Sequence, residues 1–191
     1  MIVATSIKKA KVAVRKAREQ KKKIGFIPTM GALHQGHLRL INDARKYSDF
    51  IVVSIFINPL QFGPGEDYDK YRRDYENDEK TLRKNKTDLL FYPSPEVMYP
   101  KGFSVYVEET ELSRGLCGKS RPGHFRGVCT ILAKLFNIIE PDTVHMGQKD
   151  YQQALITKRL VEDLNFPIRV RISPLVREKG GLALSSRNAY L

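Results

Sequence analysis

Residues 24–37, IGFIPTMGALHQGH, place a short apolar run directly before a polar segment that holds two of the chain's four histidines. The run at 24–28 is typical of a strand buried in a parallel sheet. The pattern that follows, over 36–47, has apolar residues at helical spacing. His34 and His37 therefore stand where a predicted strand passes into a predicted helix, and this junction decides the fold class.

The same alternation of strand and helix continues along the chain. Further predicted strands lie at 49–58, 87–93, 143–147 and 168–173, and further predicted helices at 68–85, 124–139 and 150–164. The segment FSVYVEE, residues 103–109, alternates apolar and polar residues, which predicts an edge strand or a hairpin arm. Strands that alternate with helices form βαβ units. We therefore predict one doubly wound α/β domain with a mostly parallel sheet covered on both faces.

Length and composition fit a single globular domain. The chain has 191 residues, of which 41% are hydrophobic and 28% are charged, and this length is enough for one full core. Its apolar runs are too short to span a bilayer, and a signal-peptide pattern is absent from its first residues. Cys117 and Cys129 lack metal-site or disulfide spacing. We expect a cytoplasmic protein in which both are reduced core thiols.

The net charge of +12 is concentrated near the start of the chain. Residues 1–23 contain nine Lys and Arg residues and one Glu. Apolar residues recur there at helical spacing, which predicts an amphipathic helix with a solvated basic face. The alternative is a nucleic-acid-binding module, for which affinity would fall steeply with salt and would depend on this segment.

Four polar, glycine-bearing segments follow predicted strands. They are PTMGALHQGH (28–37), NPLQFGPG (58–65), GQKDYQQ (147–153) and PLVREKGGLALSSRN (174–188). Ligands of open α/β sheets bind at the carboxyl ends of the strands. The four segments are therefore expected to form one site.

The first segment suits an anionic ligand. A helix N-terminus attracts anions, and His34 and His37, three residues apart on one side of it, can donate hydrogen bonds to phosphate oxygens. Gly36 permits close backbone approach. Neither a dinucleotide fingerprint nor a P-loop follows this strand. The alternative is that one histidine caps the helix and the other lies on the surface.

The other segments add weaker signals. Gln61 can donate to and accept from a small polar substrate, and Lys149 can place a point charge near phosphate. Asp150 suits either a helix cap or a sugar-hydroxyl acceptor. Ser185, Ser186 and Arg187 suit a mobile phosphate clamp. Simple connectors and caps are the alternatives for all of these segments, and His124 and His145 are expected to be structural.

Taken together, five segments resemble the pantoate–β-alanine ligase family over essentially the whole chain. They are PTMGALHQGH, FINPLQFGPGEDYDKYRR, CGKSRPGHFRGVCTILAKLFNIIEPD, GQKDYQQ and LALSSRN. The HxGH motif alone indicates only the wider superfamily of nucleotidylyltransferases and class I aminoacyl-tRNA synthetases. The resemblance implies the Rossmann-like fold of that superfamily.

The resemblance also implies a reaction. ATP and pantoate, with Mg²⁺, would form a pantoyl adenylate and pyrophosphate, and β-alanine would then attack to release AMP and pantothenate. It implies a cytoplasmic homodimer that has no nucleic-acid or membrane partner. Family members continue into a smaller C-terminal domain, so residues 1–191 are expected to be the ATP- and pantoate-binding domain. Such a chain is expected to fold and bind ATP but to turn over poorly without that cover.

Site residues carry over from the resemblance by motif. His37 and His34 are implied to be catalytic, Gln61 and Gln153 to bind pantoate, and Gln61 to bind β-alanine as well. The implied ATP-binding residues are Met30, Gly31, Ala32, Leu33, His34, Gln35, Gly36, His37, Gly147, Gln148, Lys149, Asp150, Val176, Leu184, Ser185, Ser186 and Arg187. Gln148 stands where the family commonly has Glu, and we expect little effect. The metal ligand stays open, with Asp78 as the one candidate.

One other enzyme class fits the HxGH motif. A nucleotidylyltransferase would transfer AMP or CMP to a phosphorylated acceptor and would need basic residues in the acceptor pocket. The uncharged Gln61 and Gln153 favour the ligase instead.

Overall fold

A computed structural model describes residues 1–190 and contains one six-stranded sheet with the strand order β1–β4–β3–β2–β5–β6. Every pair of neighbouring strands in it is parallel. The strands are β1 (Ile2–Ala4), β2 (Ile24–Thr29), β3 (Phe50–Ile55), β4 (Leu89–Phe91), β5 (Thr143–Gly147) and β6 (Arg169–Ser173). The predicted fold class, an α/β domain with a doubly wound parallel sheet, is confirmed.

Helices cover both faces of this sheet. They are α1 (Ile7–Glu19), α2 (Gln35–Ala44), α3 (Tyr75–Lys84), α4 (Pro95–Met98), α5 (Leu116–Ser120), α6 (His124–Ile139) and α7 (Tyr151–Asp163). Buried side chains of α1, α6 and α7 belong to the core on one face, and those of α2 and α3 to the core on the other. Among residues 1–190, no helix combines the length and apolar character that crossing a bilayer requires.

Helix α6 spans the predicted range and supplies much of the larger core. Phe125, Val128, Leu132, Leu135 and Ile139 on its apolar stripe are all buried. Each such side chain contributes roughly 1.5–3 kcal/mol when it is fully removed from water. Burial of this stripe therefore holds α6 against one face of the sheet.

The basic N-terminal segment forms the predicted amphipathic helix. In α1, Ala10, Ala13, Val14 and Ala17 are buried, while its lysines and arginines are exposed. The side chain of Ser6 begins the helix by accepting the backbone N–H of Lys9 at 3.3 Å.

Three sequence-based expectations were wrong. Residues 103–109 form no strand, and Val107 bonds through its N–H to Thr130 Oγ1 of α6 at 3.0 Å rather than to a sheet strand. The helix predicted for 68–85 begins only at Tyr75, since Arg73 donates to the carbonyls of residues 68, 69 and 71 and folds that stretch into a loop. Cys129 is buried as expected, but Cys117 is exposed on α5.

The sheet reverses its strand order between β2 and β5. Chain order runs from β2 outward to β3 and β4 on one side, and β5 and β6 lie on the other. A crevice forms at such a switch point, above the carboxyl ends of the two strands. The segments that follow β2 and β5 are thereby brought next to each other.

Candidate active site

The segments that follow β2, β3, β5 and β6 line one pocket of about 230 Å³ at the carboxyl edge of the sheet. The predicted site residues that line it are Met30, His34, Gly36, His37, Gln61, Gly147, Gln148, Lys149, Asp150, Gln153, Val176, Leu184, Ser185, Ser186 and Arg187. Four other predicted ATP-binding residues in the described chain do not line it, namely Gly31, Ala32, Leu33 and Gln35. The structure therefore brings all four predicted segments to one place.

His34 and His37 hold each other at the start of α2. His34 Nδ1 accepts the backbone N–H of Gly36 at 3.1 Å, and His37 Nδ1 accepts the backbone N–H of His34 at 3.2 Å. This is a reciprocal helix cap made by two imidazoles. Both histidines cap the helix, as the alternative interpretation held for one of them, yet both rings also line the pocket.

This capping determines where each ring carries its proton. A backbone N–H can only donate, so each Nδ1 must be an unprotonated acceptor, and the neutral ring then carries its hydrogen on Nε2. Burial lowers the pKa of His37 from 6.5 to about 3, with the charges of His34 and Lys149 lowering it further. Burial and Lys149 also lower the pKa of His34. At neutral pH both rings are therefore neutral donors through Nε2.

The loop before α2 is held by Asp78 of α3. The Asp78 carboxylate accepts the backbone N–H groups of Ala32 and Leu33, both at 2.8 Å. Gly31 adopts a left-handed φ of +85°, which glycine tolerates. Ala32 adopts a left-handed φ of +51°, which costs energy for a residue with a Cβ and needs such outside support.

Asp78 is 1% exposed, and both of its oxygens are occupied by these two bonds. Burial, against the effect of the two hydrogen bonds, raises its pKa. The suggestion that it ligates the metal was therefore wrong: Asp78 supports the loop that carries the histidines.

Gln61 is oriented by Asn58, which sequence reasoning missed. Asn58 Nδ2 donates to the carbonyl of Gly127 at 3.1 Å, and its Oδ1 accepts the N–H of Leu60 at 3.3 Å. Because these backbone partners are unambiguous, the Gln61 atom 3.0 Å from Asn58 Nδ2 is the acceptor Oε1. Gln61 Nε2 is thereby turned toward Met30, whose sulfur lies at 3.1 Å. The signal for Asn58 was its place before Pro59, where Asn-Pro begins a turn.

Arg121 and His124, also missed as pocket residues, fix the backbone of Gln61. His124 Nδ1 donates to the Gln61 carbonyl at 2.8 Å, and Arg121 Nη2 donates to the same oxygen at 3.2 Å. Arg121 is in turn paired with Glu66 at 2.6 Å, which lowers the pKa of that carboxyl. His124 thus holds a backbone carbonyl as well as lining the pocket, and the loop after β3 is tied to the start of α6.

The segment after β5 presents a lysine and two amides. Lys149 Nζ lies 3.1 Å from Asp150 Oδ1, and both side chains are solvent-accessible in the pocket. Gln148 reaches the segment after β6, where its Oε1 accepts the N–H of Leu175 at 3.3 Å. Gln153 lines the pocket without a side-chain hydrogen bond among residues 1–190. Gln148 thus ties two site segments together, while Gln153 is available to a ligand.

The serine–arginine segment lines the pocket and contacts the loop after β3. Arg187 is paired with Asp67, and Ser186 Oγ lies 3.1 Å from Tyr71 Oη. Tyr71, another residue that sequence reasoning missed, is 6% exposed and packs edge-on against Phe62.

His145, which was expected to be structural, is buried and also lines the pocket. It is 1% exposed on β5, and its Nε2 lies 3.0 Å from Thr143 Oγ1. Burial lowers its pKa from 6.5 to about 4, with Arg171 lowering it further. Its Nδ1 is buried without a hydrogen-bond partner in the described chain.

A preformed metal cage does not appear among residues 1–190, where no three His, Cys, Asp or Glu side chains are grouped to hold an ion. Glu66 and Asp67 are each paired with an arginine. Asp150 is the pocket carboxylate with the greatest access, since 58% of its side chain is exposed.

Comparison with known proteins relates this chain to one family. Residues 2–191 match the model of the family described as pantoate-beta-alanine ligase. A pantothenate synthetase of Thermotoga petrophila is 56% identical over 191 residues, which are 100% of this chain and 68% of that protein.

Two solved structures agree with the fold of this chain at a TM-score of 0.95. Pantothenate synthetase from Thermus thermophilus is 48% identical and is matched over 68% of its chain. Pantoate-beta-alanine ligase from Francisella tularensis, complexed with beta-gamma ATP and β-alanine, is 42% identical and is matched over 73% of its chain. Both matches cover 100% of the present chain.

Proposed function

We propose roles for the pocket residues of this chain, which belongs to the pantoate-beta-alanine ligase family and catalyses the ATP-dependent ligation of pantoate to β-alanine. The observation that carries the proposal is the pair of capped histidines at the switch point, with Lys149 close enough to lower both of their pKa values. Residues 1–191 are proposed to be the ATP- and pantoate-binding domain.

The ATP phosphates are proposed to lie over the N-terminus of α2. His34 and His37 supply Nε2 donors there, the dipole of α2 adds partial positive charge, and Lys149 adds a full charge. Ser185, Ser186 and Arg187 close over the phosphates from the opposite side. Gly147, Gln148, Asp150, Val176 and Leu184 are proposed to hold the nucleoside, together with the backbone of residues 30–36.

Pantoate is proposed to lie between Gln61 and Gln153. Gln61 presents its Nε2 donor because Asn58 holds its oxygen, and Gln153 has both ends of its amide available. Uncharged donors suit hydroxyls and a carboxylate whose charge must be lost when it is activated. Gln61 is also proposed to contact β-alanine, which approaches the activated carboxyl from the side of the loop after β3.

Two bond exchanges follow from this placement. In the first, a pantoate carboxylate oxygen bonds to the α-phosphorus of ATP while the bond from that phosphorus to the bridging oxygen of pyrophosphate breaks. Negative charge grows on the leaving pyrophosphate, where His37 and His34 donate. In the second, the β-alanine amine attacks the acyl carbon, loses a proton, and the acyl–oxygen bond to AMP breaks.

Magnesium is proposed to enter with ATP. Mg²⁺ in proteins commonly keeps several waters and binds substrate phosphates plus one or two carboxylates. Asp150 fits as such a carboxylate because it is accessible in the pocket. When bound, the ion neutralises phosphate charge.

A homodimer in the cytoplasm, without nucleic-acid or membrane partners, is proposed for the chain. Exposed apolar side chains on one segment support a protein interface: Val105 is 74% exposed and Leu116 is 81% exposed, with Tyr106 and Leu112 between them. The two free cysteines support a reducing compartment. Light scattering with Val105→Ser and Leu116→Ser variants tests the dimer, which these changes should weaken.

The proposed roles are tested by measuring pyrophosphate release from ATP, pantoate and Mg²⁺ without β-alanine. Release that depends on pantoate supports activation of the carboxylate at this pocket. Release that needs β-alanine, or that proceeds without pantoate, would contradict the proposed order of bond exchanges.

A further inference from the structure

The contact between Arg187 and Asp67 joins two segments that are 120 residues apart in the chain. Arg187 Nε donates to Asp67 Oδ2 at 2.9 Å, and Arg187 Nη2 donates to Asp67 Oδ1 at 2.8 Å. This is a bidentate, side-on pair, the most directional arrangement open to an arginine and a carboxylate. The guanidinium lies over Tyr71, with its carbon 5.8 Å from the ring centroid.

The loop that carries Asp67 is itself held on several sides. Glu66, the preceding residue, is paired with Arg121 at 2.6 Å. Arg73 donates to three carbonyls of the same loop. The loop that carries Asp67 is therefore held in place by these contacts. Arg187, in contrast, comes from a segment whose side chains are largely solvent-accessible.

The pairing leaves one edge of the guanidinium for a ligand. Asp67 takes Nε and Nη2, and Nη1 makes no hydrogen bond to residues 1–190. Both oxygens of Asp67 are already engaged by Arg187, so the carboxylate presents little unbalanced charge to an approaching phosphate. A long side chain that is oriented before binding loses less conformational entropy when the ligand arrives.

We infer that Asp67 is a positioning residue, which holds the Arg187 guanidinium side-on so that Nη1 faces the triphosphate of ATP. The inference rests on the proposed function, because it takes Arg187 as a phosphate-binding residue. It assigns to the loop after β3, which also carries Gln61, a part in ATP binding. The same loop then contributes to the binding of both ATP and pantoate.

The test compares Asp67→Asn with Asp69→Asn in the intact chain. Asp69 is an exposed acidic residue of the same loop, and its carboxylate has no partner among residues 1–190. Asp67→Asn should raise the KM for ATP and lower the rate of pyrophosphate release. Together these changes should lower kcat/KM for ATP by about tenfold, which is the scale of coupling within one ion-pair network. The affinity for pantoate should not change. Asp69→Asn should change none of these quantities.

A double-mutant cycle with Arg187→Ala separates positioning from a general role in the loop. If Asp67 acts through Arg187, then Asp67→Asn should cause no further loss in the Arg187→Ala background. An equal tenfold loss in both backgrounds would overturn the inference, as would unchanged or tighter ATP binding by the single variant. Failure of the wild-type chain to release pyrophosphate with pantoate would instead contradict the proposed function itself.

Discussion

The imidazole rings of His34 and His37 lie 4.2 Å apart, centroid to centroid, and each is held through Nδ1 by a backbone N–H at the start of the same helix. The hydrogen bonds that begin α2 therefore also choose the tautomer of both rings. A structural requirement of the helix and a chemical requirement of the site are met by the same two atoms.

His37→Ala should lower the rate of pyrophosphate release by about 10²–10³, because one donor to the developing charge is lost. The change should also lower the free energy of unfolding by roughly 1 kcal/mol, since a helix cap is lost. His37→Asn is the matched control, because its side-chain oxygen can still accept the His34 N–H. It should recover the stability but not the rate. A loss of less than about fivefold in His37→Ala would contradict the role, given that scale.

Gln153→Ala should weaken pantoate binding and leave ATP binding unchanged, because its uncharged amide lines the pocket and is proposed to bind pantoate rather than phosphate. Isothermal titration of each substrate measures this. Gln152→Ala is the control on the same helix, since Gln152 bonds to Leu112, Gly115 and Cys117. It should alter neither affinity. Weakened ATP binding with intact pantoate binding would reverse the proposed map of the pocket.

Asp78→Asn should destabilise the protein by about 1–3 kcal/mol, because an amide cannot accept both backbone N–H groups without placing its own donor against one of them. Chemical denaturation measures the loss. The Mg²⁺ concentration that gives half-maximal pyrophosphate release should stay the same. A large shift in that concentration would restore Asp78 as a metal ligand.

Gly127→Ala should displace Gln61 and raise the KM for pantoate. A Cβ at Gly127 would lie 2.1 Å from the Leu60 carbonyl oxygen and 2.7 Å from the Gln61 nitrogen, so α6 and the turn after β3 must separate. Gly115→Ala is the control, since a Cβ there meets nothing within 4 Å. Equal KM values in the two variants would show that the close approach at Gly127 does not position Gln61.

Acid should destabilise the fold partly through His145. The unfolded chain takes up a proton near the ordinary histidine pKa of 6.5, whereas buried His145 resists it down to about 4. The unfolded state therefore binds more protons in this window, and the free energy of unfolding falls as the pH drops from 6.5 toward 4. The histidine accounts for roughly 3 kcal/mol of that fall, at about 1.36 kcal/mol per pKa unit.

His145→Asn tests this assignment by the slope of stability against pH. Between about pH 7 and pH 4 the variant should lose about 3 kcal/mol less than the wild type. Its stability at neutral pH can differ for packing reasons without affecting the comparison. Parallel curves for the two proteins would show that another group senses the acid.

The sequence by itself determined the fold class and where the chemistry would lie. Helical period over 124–139 and apolar runs at 24–28 and 143–147 are local signals, and the structure has elements at those places. Because ligand sites in parallel sheets lie at the carboxyl ends of strands, polar segments after strands could be assigned to one pocket without coordinates. The three-residue β1 lies below what periodicity can detect, so it was absent from the predicted strands.

Only the tertiary structure decided how the site residues are held. Asp78 meets Ala32 across 46 residues, Asn58 meets Gly127 across 69, and Arg187 meets Asp67 across 120. Local periodicity cannot predict such pairings, since each is made when separate loops meet at the sheet edge. The segment 103–109 shows the same limit, because its alternating pattern suits a strand but Val107 bonds to Thr130 of α6 instead of to a sheet strand. Local patterns thus specify the elements, and long-range hydrogen bonds between loops specify the tautomers, amide orientations and ion pairs on which the chemistry depends.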